Sequence, residues 1–120
     1  MGRVLIIEDE IDQAELYRMA LEGAGHEIVG LMAYFEEPKL RQTKAPDLVI
    51  LDERLGGRSG SALIPNIRKS FPDARILILT ADPDVAESAV KIGADDGRMK
   101  PLPMAQLVGR VAELIRSRRP

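Results

Sequence analysis

Leu48-Val49-Ile50-Leu51-Asp52 decides the fold: four uncharged apolar residues run straight into a carboxylate. Working outward, Val4-Leu5-Ile6-Ile7 runs into Glu8-Asp9-Glu10, and Ile76-Leu77-Ile78-Leu79 runs into Thr80. A further, less apolar stretch ends in Lys100-Pro101. Short, uncharged runs rich in β-branched residues read as strands buried on both faces of a parallel sheet. Ligands of open α/β sheets bind beyond the carboxyl ends of the strands. The pattern therefore gathers carboxylates, a hydroxyl and an ammonium along one edge, a set suited to a cation and a phosphate.

The 120 residues suffice for one domain with a real core, and residues 1–120 are read as a single unit. Seventeen basic and nineteen acidic residues leave a net charge of −2, which gives no electrostatic pull toward nucleic acid. Cysteine is absent, which excludes disulfides and thiolate metal sites. No apolar run approaches the ~20 residues needed to span a bilayer, and the N-terminus lacks a signal-peptide core. The expectation is a cytoplasmic chain without membrane contact. Tyr17, Tyr34, Phe35 and Phe71 are the only aromatics, too few for base-stacking platforms.

Strands and helical stretches alternate. Ile11, Ala14, Tyr17, Leu21 and Ala24 recur with a helical period, and Gly23 and Gly25 end that helix. His26 to Met32 reads as a strand with Ile28, Val29 and Leu31 as its apolar content, and His26 as a surface residue. A short helix is expected over 34–44, although Pro38 counts against it unless it lies in the first turn. Leu63, Ile64 and Ile67 predict a helix after Gly56-Gly57, although Pro65 sits awkwardly inside it. Asp82-Pro83 is a good helix start, lined by Val85, Ala89 and Ile92 and closed by Gly93. Met104, Leu107, Val108, Val111, Leu114 and Ile115 form one face of the last helix. The basic tail from Arg116 reads as a solvated terminus or the start of a linker. Five strands alternating with five helices make a doubly wound parallel sheet of flavodoxin-like order, (βα)5.

Taken together, Ile7-Glu8-Asp9-Glu10, Leu51-Asp52-Glu53-Arg54-Leu55, Ser59-Gly60, Leu79-Thr80-Ala81, Gly93-Ala94-Asp95-Asp96 and Lys100-Pro101 resemble the receiver domain of two-component response regulators. The likeness to this CheY-like fold covers the whole chain. It implies that Asp52 is a phosphoacceptor, since a carboxylate can attack phosphorus to give an aspartyl phosphate. It implies a Mg²⁺ held by Asp9 directly, by Glu8 through water, by Asp52 and by the backbone carbonyl of Arg54. Lys100, in a cis peptide with Pro101, would pair with one phosphoryl oxygen and Thr80 would hydrogen-bond another. The phosphoryl donor would be a histidine kinase or phosphotransfer protein. The recipient of the signal would be an output protein or an attached output domain.

Each residue also has a plain structural reading. Glu8 and Asp9 could cap the first helix, Thr80 could be a strand-end hydroxyl, and Lys100 a surface lysine. Asp52 is harder to explain without chemistry, because an acid after four apolar residues is costly without a partner.

The chain departs from the pattern at two positions. Receivers usually carry Tyr or Phe three residues before the lysine; here Gly97 stands there, leaving a notch that a partner side chain could fill. Gly56 replaces a customary proline, and Gly56-Gly57 should loosen that loop. Arg54 and Asp82 flank the expected phosphorylation site, and pairing across its mouth would lengthen the life of the phosphoryl group. Self-association through the helix after Asp82, the strand before Lys100 and the last helix is a family habit that Gly97 and Arg98 would alter.

Two other function classes fit the sequence less well. A non-phosphorylated pseudo-receiver would bind partners without chemistry, but Asp9, Asp52, Thr80 and Lys100 are all present. A flavodoxin would need a Ser/Thr/Gly-rich loop where this chain has three acids, and a nuclease-type Mg²⁺ domain a second acid at Arg54.

Overall fold

The computed structural model describes residues 1–33 and 44–117. Its main sheet contains β1 (Arg3–Ile7), β2 (Glu27–Met32), β3 (Leu48–Asp52), β4 (Arg75–Thr80) and β5 (Asp96–Met99). All neighbours are parallel, in the order β2-β1-β3-β4-β5. The helices are α1 (Ile11–Gly23), α2 (Ile64–Ser70), α3 (Pro83–Ser88) and α4 (Met104–Arg116). This is the expected doubly wound arrangement. The helix expected over 34–44 falls on residues 34–43, outside the described residues.

Strand periodicity explains why the apolar runs are continuous. Successive side chains point to opposite faces. Val4, Ile6, Leu48, Ile50, Leu77 and Leu79 therefore pack with α1 and α4, around Tyr17, Leu21, Leu107 and Val111. Leu5, Ile7, Val49, Leu51, Ile76 and Ile78 pack on the other side with Ile64, Ile67, Phe71 and Ala89. With both faces covered, neither set can be polar. The carboxyl ends of β1, β3 and β4 then lie side by side, because Ile7 pairs with Leu51 and Asp52 with Leu79.

Several expectations are corrected. The register of β1 with β2 shifts between Val4 and Leu5, passing over Val29, and Leu31 is exposed while Met32 is buried. His26 is buried, not on the surface: its Nδ1 accepts the Gly2 N–H at 3.0 Å, and burial lowers its pKa. Pro65 is accommodated because a 3₁₀ turn, Gly60–Leu63, precedes α2 and leaves the proline in the first helical turn. The helix started by Asp82 stops at Ser88, and Ile92 is 41% exposed and does not line it. Gly93 does close this segment, with φ at +108°.

The Gly56-Gly57 loop takes up a defined turn. Arg54–Leu55 and Arg58–Ser59 pair as a short antiparallel ribbon, and the two glycines form its turn with φ of +56° and +85°. Positive φ at both central residues is the requirement of a type I′ hairpin turn, and glycine meets it without strain.

Candidate functional site

The loops beyond β1, β3, β4 and β5 enclose an open cleft of about 1050 Å³, lined in part by Asp9, Asp52, Thr80 and Lys100. Each of these side chains ends or follows a strand, so the sheet register sets their spacing. Carboxylate oxygens of Glu8, Asp9 and Asp52 converge within 4.8 Å of one another. Lys100 Nζ lies 3.0 Å from Glu8 Oε1 and 2.9 Å from Asp52 Oδ1. The Lys100–Pro101 peptide is cis, as the resemblance implied.

α1 opens at Ile11 with no side-chain cap from its N-cap residue Glu10, whose N–H donates to Glu8 Oε2 at 3.3 Å. Thr80 is 3% exposed, and its Oγ1 accepts the Asp82 N–H at 3.0 Å, which leaves its hydroxyl hydrogen to donate. Lys100 is half-buried and holds two acids together.

The electrostatics are strained in one direction. Glu8 is 3% exposed, and its pKa is pushed up to about 7, chiefly by burial and then by the adjoining Asp52, with Lys100 opposing. Burial works against the charge on Lys100, but hydrogen bonds to Asp52 and Glu8 outweigh it and hold the lysine above its ordinary range. Below them, burial raises the Tyr17 hydroxyl to about 12 against the nearby Lys100 charge. Three carboxylates facing one ammonium leave a local excess of negative charge. A hard divalent cation fits such an all-oxygen donor set.

Two sequence expectations fail here. Arg54 and Asp82 line the cleft but do not pair; Asp82 Oδ1 instead accepts the Asp84 N–H at 2.9 Å and caps α3. No gate across the mouth follows from that pair. Gly97 leaves no notch, because α3 settles onto its backbone. A Cβ at this position would lie 2.6 Å from both the Ala86 carbonyl oxygen and the Ala89 Cβ. Gly97 is thus a packing residue away from the cleft.

Sequence reasoning missed the ribbon's part in the site. The Gly56 N–H donates to Asp9 Oδ2 at 2.9 Å. Glu53 accepts from the Ser61 N–H at 2.8 Å and from the Ser59 hydroxyl at 3.1 Å. Gly60 is obligatory, since a Cβ there would overlap the Asp52 carbonyl oxygen. A two-residue Gly-Gly turn between short segments was the available signal.

Comparisons with known proteins agree with this fold. A family model described as "Response regulator receiver domain" matches residues 4–112. The chain is 33% identical over 124 residues to the phosphate regulon transcriptional regulatory protein PhoB of Rhizobium meliloti, covering 100% of this chain and 55% of that protein. It is 32% identical over 108 residues to the alginate biosynthesis transcriptional regulatory protein AlgB of Pseudomonas syringae, covering 88% of this chain and 24% of the relative. The chain thus spans from about a quarter to about half the length of these curated relatives. Among solved structures, a CheY-like receiver domain protein from Methanospirillum hungatei superposes with a TM-score of 0.84 at 21% identity, over 97% of this chain and 94% of that one. A Francisella response regulator receiver domain gives 0.80 at 22% identity, over 97% and 98%. These two likenesses speak for the fold. With the family model spanning residues 4–112, the chain belongs to the response regulator receiver domain family.

Proposed function

We propose that this chain is the phosphoacceptor of a two-component phosphorelay, taking a phosphoryl group from a phosphohistidine onto Asp52. The observation that carries the reading is the Asp52 carboxylate, 6% exposed, held at 2.9 Å by Lys100 and flanked by Glu8 and Asp9. In the transfer, an Asp52 oxygen bonds to phosphorus as the P–N bond breaks and the electron pair leaves with the imidazole. Lys100 offers charge to a phosphoryl oxygen, and the Thr80 hydroxyl hydrogen donates to another. Glu8, Asp9, Asp52 and the Arg54 carbonyl would hold Mg²⁺, whose charge offsets the repulsion between acceptor and phosphoryl group.

The chain acts once per phosphoryl group and is a signalling acceptor, not a turnover enzyme. Its donor is a histidine kinase or phosphotransfer protein, and the phosphorylated form changes its contacts with an output protein or output domain in the cytoplasm. No helix among the described residues is long and apolar enough to cross a membrane.

Intact mass after incubation with acetyl phosphate tests the reading. The expected result is a Mg²⁺-dependent gain of one phosphoryl group that Asp52→Asn lacks. No gain under conditions that label ordinary receivers would overturn it and leave the non-phosphorylated binding module.

A further inference from the structure

The cation site rests on a carboxylate, Asp9, that is only half-buried, and a half-buried carboxylate turns freely unless something holds it. Among the described residues its hydrogen bond comes from one place, the Gly56 N–H at 2.9 Å, donated to Oδ2 from 47 positions along the chain. Among the described residues the other carboxylate oxygen accepts no hydrogen bond, which leaves it available to a ligand. A proline at this position would have no N–H, so the donor exists because residue 56 is not proline.

The ribbon that presents this N–H is fixed at both ends. Its turn is permitted by the two positive-φ glycines and closed by pairing of Leu55 with Arg58, and Leu55 buries its side chain in the core at 1% exposure. At its base, Glu53 gathers the returning strand. Oε1 accepts the Ser61 N–H at 2.8 Å, and Oε2 lies 3.1 Å from the Ser59 hydroxyl and 3.3 Å from the Ser61 hydroxyl, which hydrogen-bond each other at 2.6 Å and leave one hydrogen to donate to the carboxylate. The Glu53 backbone is held as well: its N–H donates to the Leu79 carbonyl at 3.2 Å, and its carbonyl accepts the Gly60 N–H at 2.6 Å. Gly60 then seats against the Asp52 carbonyl with no room for a side chain. The path from Glu53 to Asp9 is therefore continuous: carboxylate to serines, serines to ribbon, ribbon to amide, amide to carboxylate.

We propose that the ribbon after Asp52 is a positioning element for the cation site, with Glu53 holding the ribbon and the Gly56 N–H orienting the Asp9 carboxylate. The inference rests on the reading of Glu8, Asp9 and Asp52 as a Mg²⁺ site and names the residues that set its affinity. Glu53 and Gly56 are positioning residues, since neither need touch the ion. Outer residues that orient metal ligands commonly change affinity by about 10-fold or more when lost.

Calorimetric titration of the unphosphorylated chain with MgCl₂ is the test, alongside thermal melting and amide exchange at Gly56. Glu53→Ala is expected to weaken Mg²⁺ binding about 10-fold and to strip the Gly56 amide of its protection. Glu53→Gln keeps an acceptor for the Ser61 N–H and restores most of the affinity. Ser61→Ala removes one hydroxyl from the clasp and shifts affinity the same way by less, which keeps the test alive if Glu53→Ala fails to fold. Asp9→Ala removes the protection of the Gly56 amide. Unchanged Mg²⁺ affinity in a folded Glu53→Ala or Ser61→Ala chain, beside a wild type that binds, would overturn the positioning role alone. A wild type that takes up no Mg²⁺ would overturn the cation site and this role together.

Discussion

At the edge where the strands begin, Asp95 sits between two arginines; at the edge where they end, Glu8 and Asp52 share one lysine. The Asp95 carboxylate, 6% exposed, accepts from Arg68 Nη2 at 2.7 Å, Arg75 Nη1 at 2.8 Å and the Ile76 N–H at 2.8 Å. Burial opposes its charge, yet these donors hold its pKa below the usual carboxylate range. Arg68 also donates to the carbonyls of Ala74 and Gly93, and Arg75 to that of Ser117. Strand, helix and loop ends are thereby tied together. At the opposite edge the same kind of burial raises Glu8 to about 7, because Lys100 alone cannot neutralise its neighbours. One edge closes its charges into a structural clasp. The other keeps an excess that an incoming cation can relieve.

The largest test breaks the clasp. Asp95→Ala leaves Arg68 and Arg75 facing each other without their carboxylate, and the expected loss is about 3–5 kcal/mol, read by urea unfolding at neutral pH. A loss near the ~0.5 kcal/mol of ordinary surface changes would show that the two edges differ less than their geometry implies.

The next test uses pH. Glu8 titrates at an ordinary 4.5 when unfolded and about 7 when folded, so the folded state binds the proton more tightly. Its contribution is full below 4.5 and is lost as pH rises toward 7, on the order of 3 kcal/mol. Asp95 runs the other way, stabilising above its ordinary 3.8 and losing that effect as acid protonates it. Glu8→Gln should flatten the decline in melting temperature between pH 5 and 8; an unaltered slope would remove Glu8 as its source.

Between the edges, Gly97→Ala gauges the cost of simple crowding. Pushing α3 off β5 should cost about 1–3 kcal/mol with little pH dependence, which separates packing from charge. The smallest effect sharpens the site itself. Mg²⁺ at ten times its Kd should stabilise the chain by about 1.4 kcal/mol at pH 7.5, and by less at pH 5, where Glu8 holds its proton. Equal shifts at both pH values would mean the ion binds without Glu8.

The sequence made one edge legible and left the other unread. Val4–Ile7, Leu48–Leu51 and Ile76–Leu79 are uncharged because both sheet faces are covered, and each ends in the polar residue that reaches the cleft. Arg68, Arg75 and Asp95 carry no such mark, since their meeting depends on where α2 and β5 come to rest. Ile92 fits a helical period that the chain abandons after Ser88. His26 looked like a surface residue because its partner is a backbone N–H, which no side-chain pattern announces. Gly97 was visible as a departure, but whether its space stays open or is filled by Ala86 and Ala89 is a tertiary outcome.

That filled space also sets a clock. Rotation of an exposed side chain takes picoseconds to nanoseconds, whereas sliding of packed elements takes microseconds to milliseconds. An aromatic side chain here would be a fast moving part; this chain has α3 resting on the β5 backbone, with no rotor between them. Any response of this face to events in the cleft must displace the helix as a body. Relaxation measurements should therefore find its motion in the slower window, with silence in the faster one.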